Sequence, residues 1–494
     1  MTTTHLSRPG LEDDNLLRGE LFISGRWQPA STGRTFPVRD PATGAVIADV
    51  ADGDASDARD AVEAAAAAWG EWRSLTAKQR AAALKELHAA IVDNASDLAS
   101  LITAEMGKPL REAQWEVGLA SDFFEWYAEE AKRAYGEVIP THDPSMRLFV
   151  IEQPVGVAVA ITPWNFPLST IARKVAPALA AGCTVVVKPA EDTPLSALAL
   201  AELADRAGLP PGVINVVTAA DPVAVGGELT ANPTVRKVSF TGSSEVGRLL
   251  MRQSADTLKK LSLELGGNAP FVVFADADLD AAVRGAVVSK YRNGGQTCIC
   301  ANRIFVHVSV MEEFSRRLAG AAAALKVGPG MDQASEIGPL INTEALNKVN
   351  RLVGEAVDQG ARVVVGGKPH ELGGTYYQPT VLEGATLDMA IANEEIFGPV
   401  ANLYSFDTES EAIELANATP YGLSAYVYTR DSARSWRMSE ALEFGMVGVN
   451  TGIFTTEVAP FGGVKQSGIG REGGRQGLKE FMVSKYVAIG GIGA

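Results

Sequence analysis

Two cysteines separated by a single residue, Cys298 and Cys300, lie in the polar, glycine-containing stretch GGQTCICANR, residues 294–303. A cysteine pair at this spacing allows four interpretations: a metal clip, a disulfide, two packed core residues, or a nucleophile with a neighbour. Each interpretation requires a different set of additional residues elsewhere in the chain. The rest of the sequence therefore decides among them.

The metal interpretation is weak, because a structural zinc site needs further cysteines or histidines at ligand spacing. The chain has one other cysteine, Cys183, and its five histidines are scattered singly, so we predict no metal site. The serine hydrolase turn G-x-S-x-G is absent, and GSSEVGR lacks the lysine that follows the second glycine of a Walker A loop. Serine hydrolase and P-loop chemistry are disfavoured as well.

A cysteine nucleophile remains, because a thiolate attacks carbonyl carbons and a polar glycine turn can expose it at the mouth of a cleft. Two alternatives stand beside it. Cys298 could be a small buried hydrophobic residue, which is the common role of an isolated cysteine. The pair could also serve a thiol redox sensor or a cofactor-binding protein without turnover.

Five sequence blocks resemble the aldehyde dehydrogenase superfamily and occur in the order typical of that family. Any one of them alone would be a weak signal. The resemblance extends from about Leu21 to the C-terminus. The blocks are TPWNFPL (162–168), FTGSSEVG (240–247), LELGGNAP (263–270), GGQTC (294–298) and EEIFGPV (394–400).

The resemblance implies catalytic roles for three residues. Cys298 would attack the aldehyde carbon to give a thiohemiacetal, whose oxyanion would accept hydrogen bonds from the Asn165 amide and the Cys298 backbone N–H. Hydride transfer to nicotinamide would leave a thioester, and Glu264 would be the general base for its hydrolysis. Without the resemblance, Asn165 would be interpreted as a turn residue and Glu264 as a solvated strand end.

The resemblance also implies a nicotinamide dinucleotide. Gly242 and Gly247 bracket a strand-to-helix turn, where helix N–H groups can accommodate a pyrophosphate. A carboxylate at Glu191 accepts ribose hydroxyls but repels a 2′-phosphate, so NAD is favoured, although Lys188 leaves NADP possible. The cofactor-binding residues that the resemblance implies are Trp164, Asn165, Lys188, Glu191, Gly242, Ser243, Gly247, Leu265, Glu395 and Phe397.

Two arginines flank the predicted site: Arg173 follows Asn165 by eight residues, and Arg292 precedes Cys298 by six. Either could be an ordinary solvated arginine, but a guanidinium also suits a bidentate carboxylate. With Ser467 and the blocks KPAEDTP and NTGIFTTEVAPFGG, they resemble the succinate-semialdehyde dehydrogenase branch, which implies that these three residues hold the substrate carboxylate. We expect oxidation of succinate semialdehyde to succinate, with glutarate semialdehyde or another small aldehyde as the alternative.

A cysteine at position 300 resembles the succinate-semialdehyde dehydrogenase branch more than the aldehyde dehydrogenase superfamily in general. A disulfide requires the two Cα atoms to approach within about 7 Å, which a loop allows and a straight strand strains. Our hypothesis is that reversible oxidation of Cys298 and Cys300 shuts the enzyme.

Charge and hydropathy narrow the possible partners. The chain of 494 residues has 44 lysines and arginines against 59 acidic residues, a net charge of −15, which disfavours nucleic acid and anionic membrane surfaces. Residues 1–20 lack the basic and apolar runs of a signal peptide, and no apolar stretch reaches the ~18 residues of a membrane span. With so few cysteines, we expect a cytoplasmic protein that binds a small molecule.

The elements that must position these residues follow from the hydrophobic pattern. Helical periodicity dominates from Asp57 to about Gly136, after which short β-rich runs alternate with helices. This alternation indicates an α/β fold with a parallel sheet and crossover helices, and a second such block runs from Phe271 to about Val449. Two extended segments, MRLFVIEQP and FMVSKYVAIGG, have no evident partner.

The resemblance implies two Rossmann-like α/β domains plus a small β oligomerisation element. We predict an NAD(P)-binding domain over residues 9–138 and 155–266, a catalytic domain over 267–463, and an oligomerisation element over 139–154 and 480–494. Exposed strands in that element favour a homodimer or homotetramer.

Overall fold

The computed structural model describes residues 9–492, so the first eight residues of the N-terminal segment and the last two of the predicted oligomerisation element lie outside the described residues. The described part of the N-terminal segment is docked. The backbone N–H groups of Glu12 and Asp13 each donate to the Asp97 carboxylate at 2.9 Å, and Leu16 is buried.

Short strands and four helices make up the N-terminal region. The first two helices begin at capping boxes, formed by Asp54 with Asp57 and by Thr76 with Gln79, which satisfy the first free N–H groups of each helix. In chain order the elements are β1 (Leu21–Ile23), β2 (Arg26–Gln28), β3 (Thr35–Arg39), β4 (Val46–Ala51), α1 (Ala55–Ser74), α2 (Ala77–Asp93), α3 (Ala95–Met106), α4 (Leu110–Glu130), β5 (Glu137–Ile139) and β6 (Arg147–Pro154).

Strands and helices then alternate, which confirms the predicted α/β pattern. The elements are β7 (Val157–Ile161), α5 (Ser169–Ala181), β8 (Thr184–Lys188), α6 (Leu195–Arg206), β9 (Ile214–Val216), α7 (Pro222–Ala231), β10 (Val235–Thr241), α8 (Ser244–Ser254) and β11 (Lys260–Glu264). These five strands are parallel in the order β9-β8-β7-β10-β11, and β1 and β2 extend the sheet beyond β9. The order reverses at β7, where the carboxyl ends of parallel strands open a crevice.

Seven of the strands that follow β11 form a second sheet, in the order β14-β15-β16-β13-β12-β18-β19. Its strand β13 starts directly after the cysteine pair. The elements are β12 (Ala269–Val273), α9 (Leu279–Tyr291), β13 (Ala301–His307), α10 (Met311–Ala324), α11 (Thr343–Asp358), β14 (Arg362–Val365), β15 (Thr380–Glu383), α12 (Ala390–Asn393), β16 (Val400–Phe406), α13 (Glu409–Asn417), β17 (Tyr421–Gly422), β18 (Ser424–Tyr428), α14 (Ser432–Ala441), β19 (Met446–Val449), β20 (Val464–Lys465), β21 (Gly468–Ile469), α15 (Gly474–Lys479) and β22 (Met482–Ile489).

The C-terminal segment returns to the first sheet, because β21 pairs antiparallel with β11. The two extended segments without an evident partner in the sequence pair with each other: β22 lies antiparallel to β6 along its whole length, and β5 adds a third strand. This small sheet leaves Val138 76% and Tyr486 59% exposed. The boundaries of the three domains stay a prediction.

The two adjoining strands β10 and β11 carry polar residues in matched positions. Thr241 lies beside Glu264 and Ser239 beside Ser262, and all four are buried. Parallel strands covered on both faces are ordinarily continuous runs of apolar residues. Buried polar groups at the carboxyl ends of these strands therefore mark the place where the sheet supports a site.

Candidate functional site

The loops that follow β7, β10 and β11 meet at one edge of the first sheet and line a single cleft. Trp164 and Asn165 come from the first loop, Ser243 from the second and Leu265 from the third. The second sheet contributes Cys298 to the same cleft. The structure thus brings together residues that lie up to 134 positions apart in the sequence, from Trp164 to Cys298.

A tight left-handed turn carries Cys298 into the cleft. Asn293, Gly294 and Gly295 have φ angles of 55°, 62° and 76°. A Cβ at Gly295 would lie 2.1 Å from the carbonyl oxygen of Gly398, so only glycine fits there. The turn places a partly exposed Cys298 just before β13.

The surroundings of the Cys298 thiol favour its protonated form. Burial raises the pKa of Cys298 to about 12, and Glu395 and Glu264 add to this rise, while Arg173 opposes it. Since the thiolate is the nucleophile, the thiol must lose its proton before it attacks a substrate. Positive charge near the sulfur favours that loss.

Cys300 is buried, and its thiol donates to the carbonyl of Lys290 at 3.7 Å. Burial raises the pKa of this thiol too. The structure contains both Cys298 and Cys300 as free cysteines. The proposed redox switch stays a prediction.

Asn165 presents an amide beside the nucleophile. Its Nδ2 donates to the carbonyl of Gln296 at 3.0 Å, and the residue lines the cleft. A carboxamide nitrogen carries two hydrogens, so one N–H remains for an oxyanion. The position fits the role implied for Asn165.

Glu264 ends β11 inside the cleft and is only 2% exposed. Neither of its carboxylate oxygens makes a hydrogen bond within the described part of the chain. Burial and the nearby Glu472 raise its pKa well above the ordinary range, against the opposing charges of Lys174 and Arg173. A buried carboxyl group without fixed partners is suited to exchange a proton with water.

Glu472 and Lys174 control the charge around Glu264. Lys174 donates to Glu472 and to the Thr241 hydroxyl. Burial disfavours a charge on Glu472, but Lys174 and Arg173 outweigh burial, lower the pKa of Glu472 and keep it ionised. The negative charge of Glu472 in turn disfavours ionisation of Glu264.

The turn between β10 and α8 has the features of a dinucleotide site. A Cβ at Gly247 would lie 2.5 Å from Leu265, and one at Gly242 would lie 2.4 Å from the Phe240 ring. Leu265 and the Phe240 ring therefore pack against these two positions, where only glycine fits. Ser243 caps the helix by accepting from the Val246 N–H at 3.2 Å. The other N–H groups of this first turn, beside the cleft that Gly242 and Ser243 line, fit a phosphate group.

Glu395, Phe397 and Trp164 line the next part of this cleft. One oxygen of Glu395 accepts from the Gly267 N–H at 3.1 Å, and burial raises its pKa to about 7. Its other oxygen makes no hydrogen bond among the described residues, which fits a ribose hydroxyl. The Trp164 and Phe397 rings stand edge to face at 5.4 Å.

Lys188 and Glu191 lie at the carboxyl end of β8, outside the lining of the cleft around Cys298. The Lys188 ammonium is buried and lies 3.2 Å from the half-exposed carboxylate of Glu191. The neighbouring strand β7 begins the loop that carries Trp164. Both residues thus lie on the strand next to β7, away from the part of the cleft that contains Cys298.

A second pocket opens on the other side of Cys298, between Trp115, Phe166 and Phe461. Both predicted arginines line it. Arg292 lies 4.8 Å from the Trp115 ring centroid, and its Nη1 atom is buried without a hydrogen-bond partner in the described residues. An aromatic pocket with an unpaired buried guanidinium N–H is suited to an anionic group.

Arg173 has a partner already. Its guanidinium stacks 4.3 Å from the Phe461 ring centroid, and its Nε approaches Glu472 to 3.2 Å without hydrogen-bond geometry. Part of its charge is therefore compensated within the protein. Of the two arginines, Arg292 has the greater unmet capacity to bind an anion.

The structure does not bring Ser467 to the pocket that contains the two arginines. Ser467 is fully buried outside the pocket, where its hydroxyl donates to the carbonyl of Gly266 at 2.7 Å and accepts from the Gly422 N–H at 2.9 Å. The hydroxyl thus links the segment that follows β11 to β17.

Thr455 occupies the position that Ser467 was expected to hold. It lines the pocket with both arginines, and its buried hydroxyl has no partner among the described residues. The block NTGIFTTEVAPFGG contains Thr455, but nothing in its type or spacing distinguishes it from the adjacent Thr456. Glu472 and Lys174 were not predicted from the sequence either, because single charged residues are ordinarily solvated.

Within residues 9–492, no cluster of three or more His, Cys, Asp or Glu side chains is arranged to hold a metal ion. No helix in that range is long and apolar enough to cross a membrane.

Comparison with known proteins agrees with this geometry. A model of the aldehyde dehydrogenase family matches residues 27–487. A glutarate-semialdehyde dehydrogenase of Pseudomonas aeruginosa is 52% identical over 98% of this chain and 100% of that protein. An Escherichia coli protein named succinate-semialdehyde dehydrogenase [NADP(+)] is 53% identical over 97% of this chain and 99% of its own length. The crystal structure of succinate-semialdehyde dehydrogenase from Burkholderia pseudomallei superposes with a TM-score of 0.96 at 55% identity, covering 97% of this chain and 100% of that one.

The charges around Glu264 predict a pH effect. In a Glu472→Gln enzyme the repulsion from Glu472 is lost, and Lys174 and Arg173 are free to stabilise the Glu264 carboxylate, so the pKa of Glu264 falls. A general base acts in its ionised form, so the rising limb of the pH profile for thioester hydrolysis should move to lower pH. Pre-steady-state kinetics of the hydrolytic step across pH measure this shift.

The control is Glu457→Gln, which removes a partly exposed carboxylate from the preceding loop and should leave the profile unchanged. A limb that stays in place or moves to higher pH in the Glu472→Gln enzyme contradicts this account of the Glu264 environment.

Proposed function

Because this chain belongs to the aldehyde dehydrogenase family, we propose that it oxidises succinate semialdehyde to succinate, with glutarate semialdehyde as the competing substrate. The unpaired Nη1 of Arg292, facing the pocket that also contains Cys298, carries this proposal. The names of both relatives describe short aldehydes that end in a carboxylate. A pocket with a nucleophile and an unpaired guanidinium matches such a molecule at both ends.

The residues of the chain divide the reaction among them. Cys298, once deprotonated, attacks the aldehyde carbon, and the Asn165 amide and the Cys298 N–H stabilise the oxyanion of the thiohemiacetal. NAD(P), when bound, supplies the two-electron acceptor that the oxidation to a thioester requires. Glu264 then takes a proton from the attacking water, and the acid leaves as Cys298 regains its thiol.

The cleft beside α8 would hold the dinucleotide. The N–H groups in the first turn of α8 suit the pyrophosphate, and the free oxygen of Glu395 suits the nicotinamide ribose. The Trp164 and Phe397 rings line the end of the cleft that suits the nicotinamide ring. We infer that NAD is preferred, because the Glu191 carboxylate repels a 2′-phosphate. The E. coli relative is named for NADP(+) instead.

We further propose that the exposed face of the sheet formed by β5, β6 and β22 joins copies of the chain into a dimer or tetramer. Its large exposed apolar residues, Val138 and Tyr486, support this.

The substrate proposal predicts a selective defect in an Arg292→Ala enzyme. A hydrogen bond to a charged group contributes about 1.5–3 kcal/mol, which corresponds to a KM for succinate semialdehyde raised about 10-fold to 100-fold. Butanal has no carboxylate, so its KM should change little. Steady-state kinetics with both aldehydes measure the difference.

A matched control is Arg284→Ala, which removes an exposed arginine from the helix that precedes Arg292. Thr455→Val should show a smaller defect of the same selectivity. If Arg292→Ala raises the KM of both aldehydes equally, the assignment of a carboxylate-bearing substrate fails.

The cofactor proposal predicts a change of preference in a Glu191→Gln enzyme. Removing a half-exposed like charge is worth ~1 kcal/mol, so kcat/KM with NADP relative to NAD should rise about fivefold. Kinetics with each cofactor on the same enzyme give the ratio. A wild-type enzyme more efficient with NADP than with NAD would overturn the role assigned to Glu191.

A further inference from the structure

A buried ion pair lies behind the cleft and takes no part in the chemistry proposed above. Lys108 precedes α4 and Glu116 lies within it; Lys108 is 2% exposed and Glu116 is fully buried, and they bond to each other. Burying two charges costs several kcal/mol each before their attraction is counted. Such a pair needs a reason beyond stability, and its other hydrogen bonds supply one.

Both members of the pair hold the loop that carries Asn165. The Lys108 ammonium donates to the backbone carbonyl of Asn165 at 2.8 Å. One oxygen of Glu116 accepts from the N–H groups of Leu168 and Ser169 at 3.0 and 3.1 Å, where α5 begins. The loop is therefore fixed at the residue that presents the amide and again at the helix that follows.

Asn293 ties this loop to the turn that carries the nucleophile. Its Nδ2 donates to the carbonyl of Asn165 at 3.0 Å and to the carbonyl of Gln296 at 3.2 Å. The Asn165 side chain donates to the same Gln296 carbonyl. The backbone N–H of Asn293 donates to Glu112 of α4 at 2.7 Å. Asparagine is among the few residues that adopt the left-handed φ of 55° found here.

We propose that Asn293, supported by the Lys108–Glu116 pair, is a positioning residue that sets the separation between the two oxyanion donors, the Asn165 amide and the Cys298 N–H. The proposal rests on the function proposed above, since it concerns the same intermediate. One donor belongs to a loop of the first sheet and the other to a loop of the second. Asn293 is the side chain that bonds to the backbone of both loops.

The energetic demand on such a residue is large. Loss of one oxyanion donor typically lowers kcat by about 100-fold to 1,000-fold, and a displacement of about 1 Å can cost about 100-fold. Substrate binding depends instead on Arg292 and the aromatic walls of the pocket. A positioning role therefore predicts a fall in kcat without a matching rise in KM.

The test compares three variants. Asn293→Gly keeps the left-handed turn and removes only the carboxamide, whereas Asn293→Asp keeps its shape and presents an acceptor to two carbonyls. The double variant Lys108→Met/Glu116→Gln removes both buried charges together, so that neither is left alone. Gln114→Ala, an exposed change on α4, is the matched control.

We expect kcat to fall about 10-fold to 100-fold in Asn293→Gly and further in Asn293→Asp, with the KM for the semialdehyde within threefold of wild type. The Kd for the dinucleotide should stay unchanged, and Gln114→Ala should match wild type. A kcat within twofold of wild type in Asn293→Gly overturns the proposal. So does a loss of kcat accompanied by an equal loss of dinucleotide binding, because that pattern reports general disruption.

Hydrolysis of p-nitrophenyl acetate separates this inference from the proposed function. Attack of Cys298 on the ester forms a tetrahedral oxyanion that uses the same donors but involves no semialdehyde. If the wild type hydrolyses the ester and oxidises no semialdehyde, the substrate proposal fails, and the rates of the Asn293 variants on the ester still decide the positioning role. A wild-type enzyme that leaves the ester intact contradicts the donor arrangement itself.

Discussion

The bridge that Asn293 forms between the Asn165 loop and the Gln296 carbonyl is the contact on which the site depends. Asn165 follows β7 of the eight-stranded sheet, and Gln296 precedes β13 of the seven-stranded sheet. Each sheet has its own core and positions its own loops. The chemistry requires a nucleophile from one sheet and a donor and base from the other at fixed separation, so a rigid contact between loops is needed.

The second requirement is control of charge in a space from which water is largely removed. Glu264 lies buried without a hydrogen-bond partner, and Glu472 with Lys174 sets the field in which it ionises. Such groups cost stability wherever they lie, and their cost is tolerated at functional sites. The buried apolar residues of the strands and helices around β10 and β11 provide the stability that the buried polar residues of these two strands do not.

Local patterns predicted much of this arrangement. The parallel sheet was predicted from the alternation of strands and helices after residue 155, because strands and helices differ in the periodicity of their apolar residues. The family resemblance placed β6 and β22 in one element, but the residues themselves do not show that the two strands pair, since they lie more than 300 residues apart and neither has a local signal for its partner. The family resemblance placed Cys298, Asn165 and Glu264 in one cleft, and the structure agrees.

Residue roles that depend on the direction in which a side chain points were harder to predict from the sequence. Ser467 and Thr455 are both small hydroxyl residues near the same glycine-rich block, and only the fold shows which faces the pocket. Arg173 was predicted to hold the substrate carboxylate, yet the carboxylate of Glu472, almost 300 residues away in sequence, lies 3.2 Å from its Nε atom. Lys108 and Glu116 gave no sequence signal because charged residues near a helix start are ordinarily solvated.

The most direct test of the account is to trap the covalent intermediate. A Glu264→Gln enzyme, with Cys300→Ala to leave one cysteine in the turn, is mixed with NAD and succinate semialdehyde, quenched and digested for peptide mass spectrometry. The account predicts a succinyl thioester on Cys298 that accumulates toward one per chain and decays slowly. A succinyl group on any other residue, or turnover at the rate of the enzyme that retains Glu264, would contradict it.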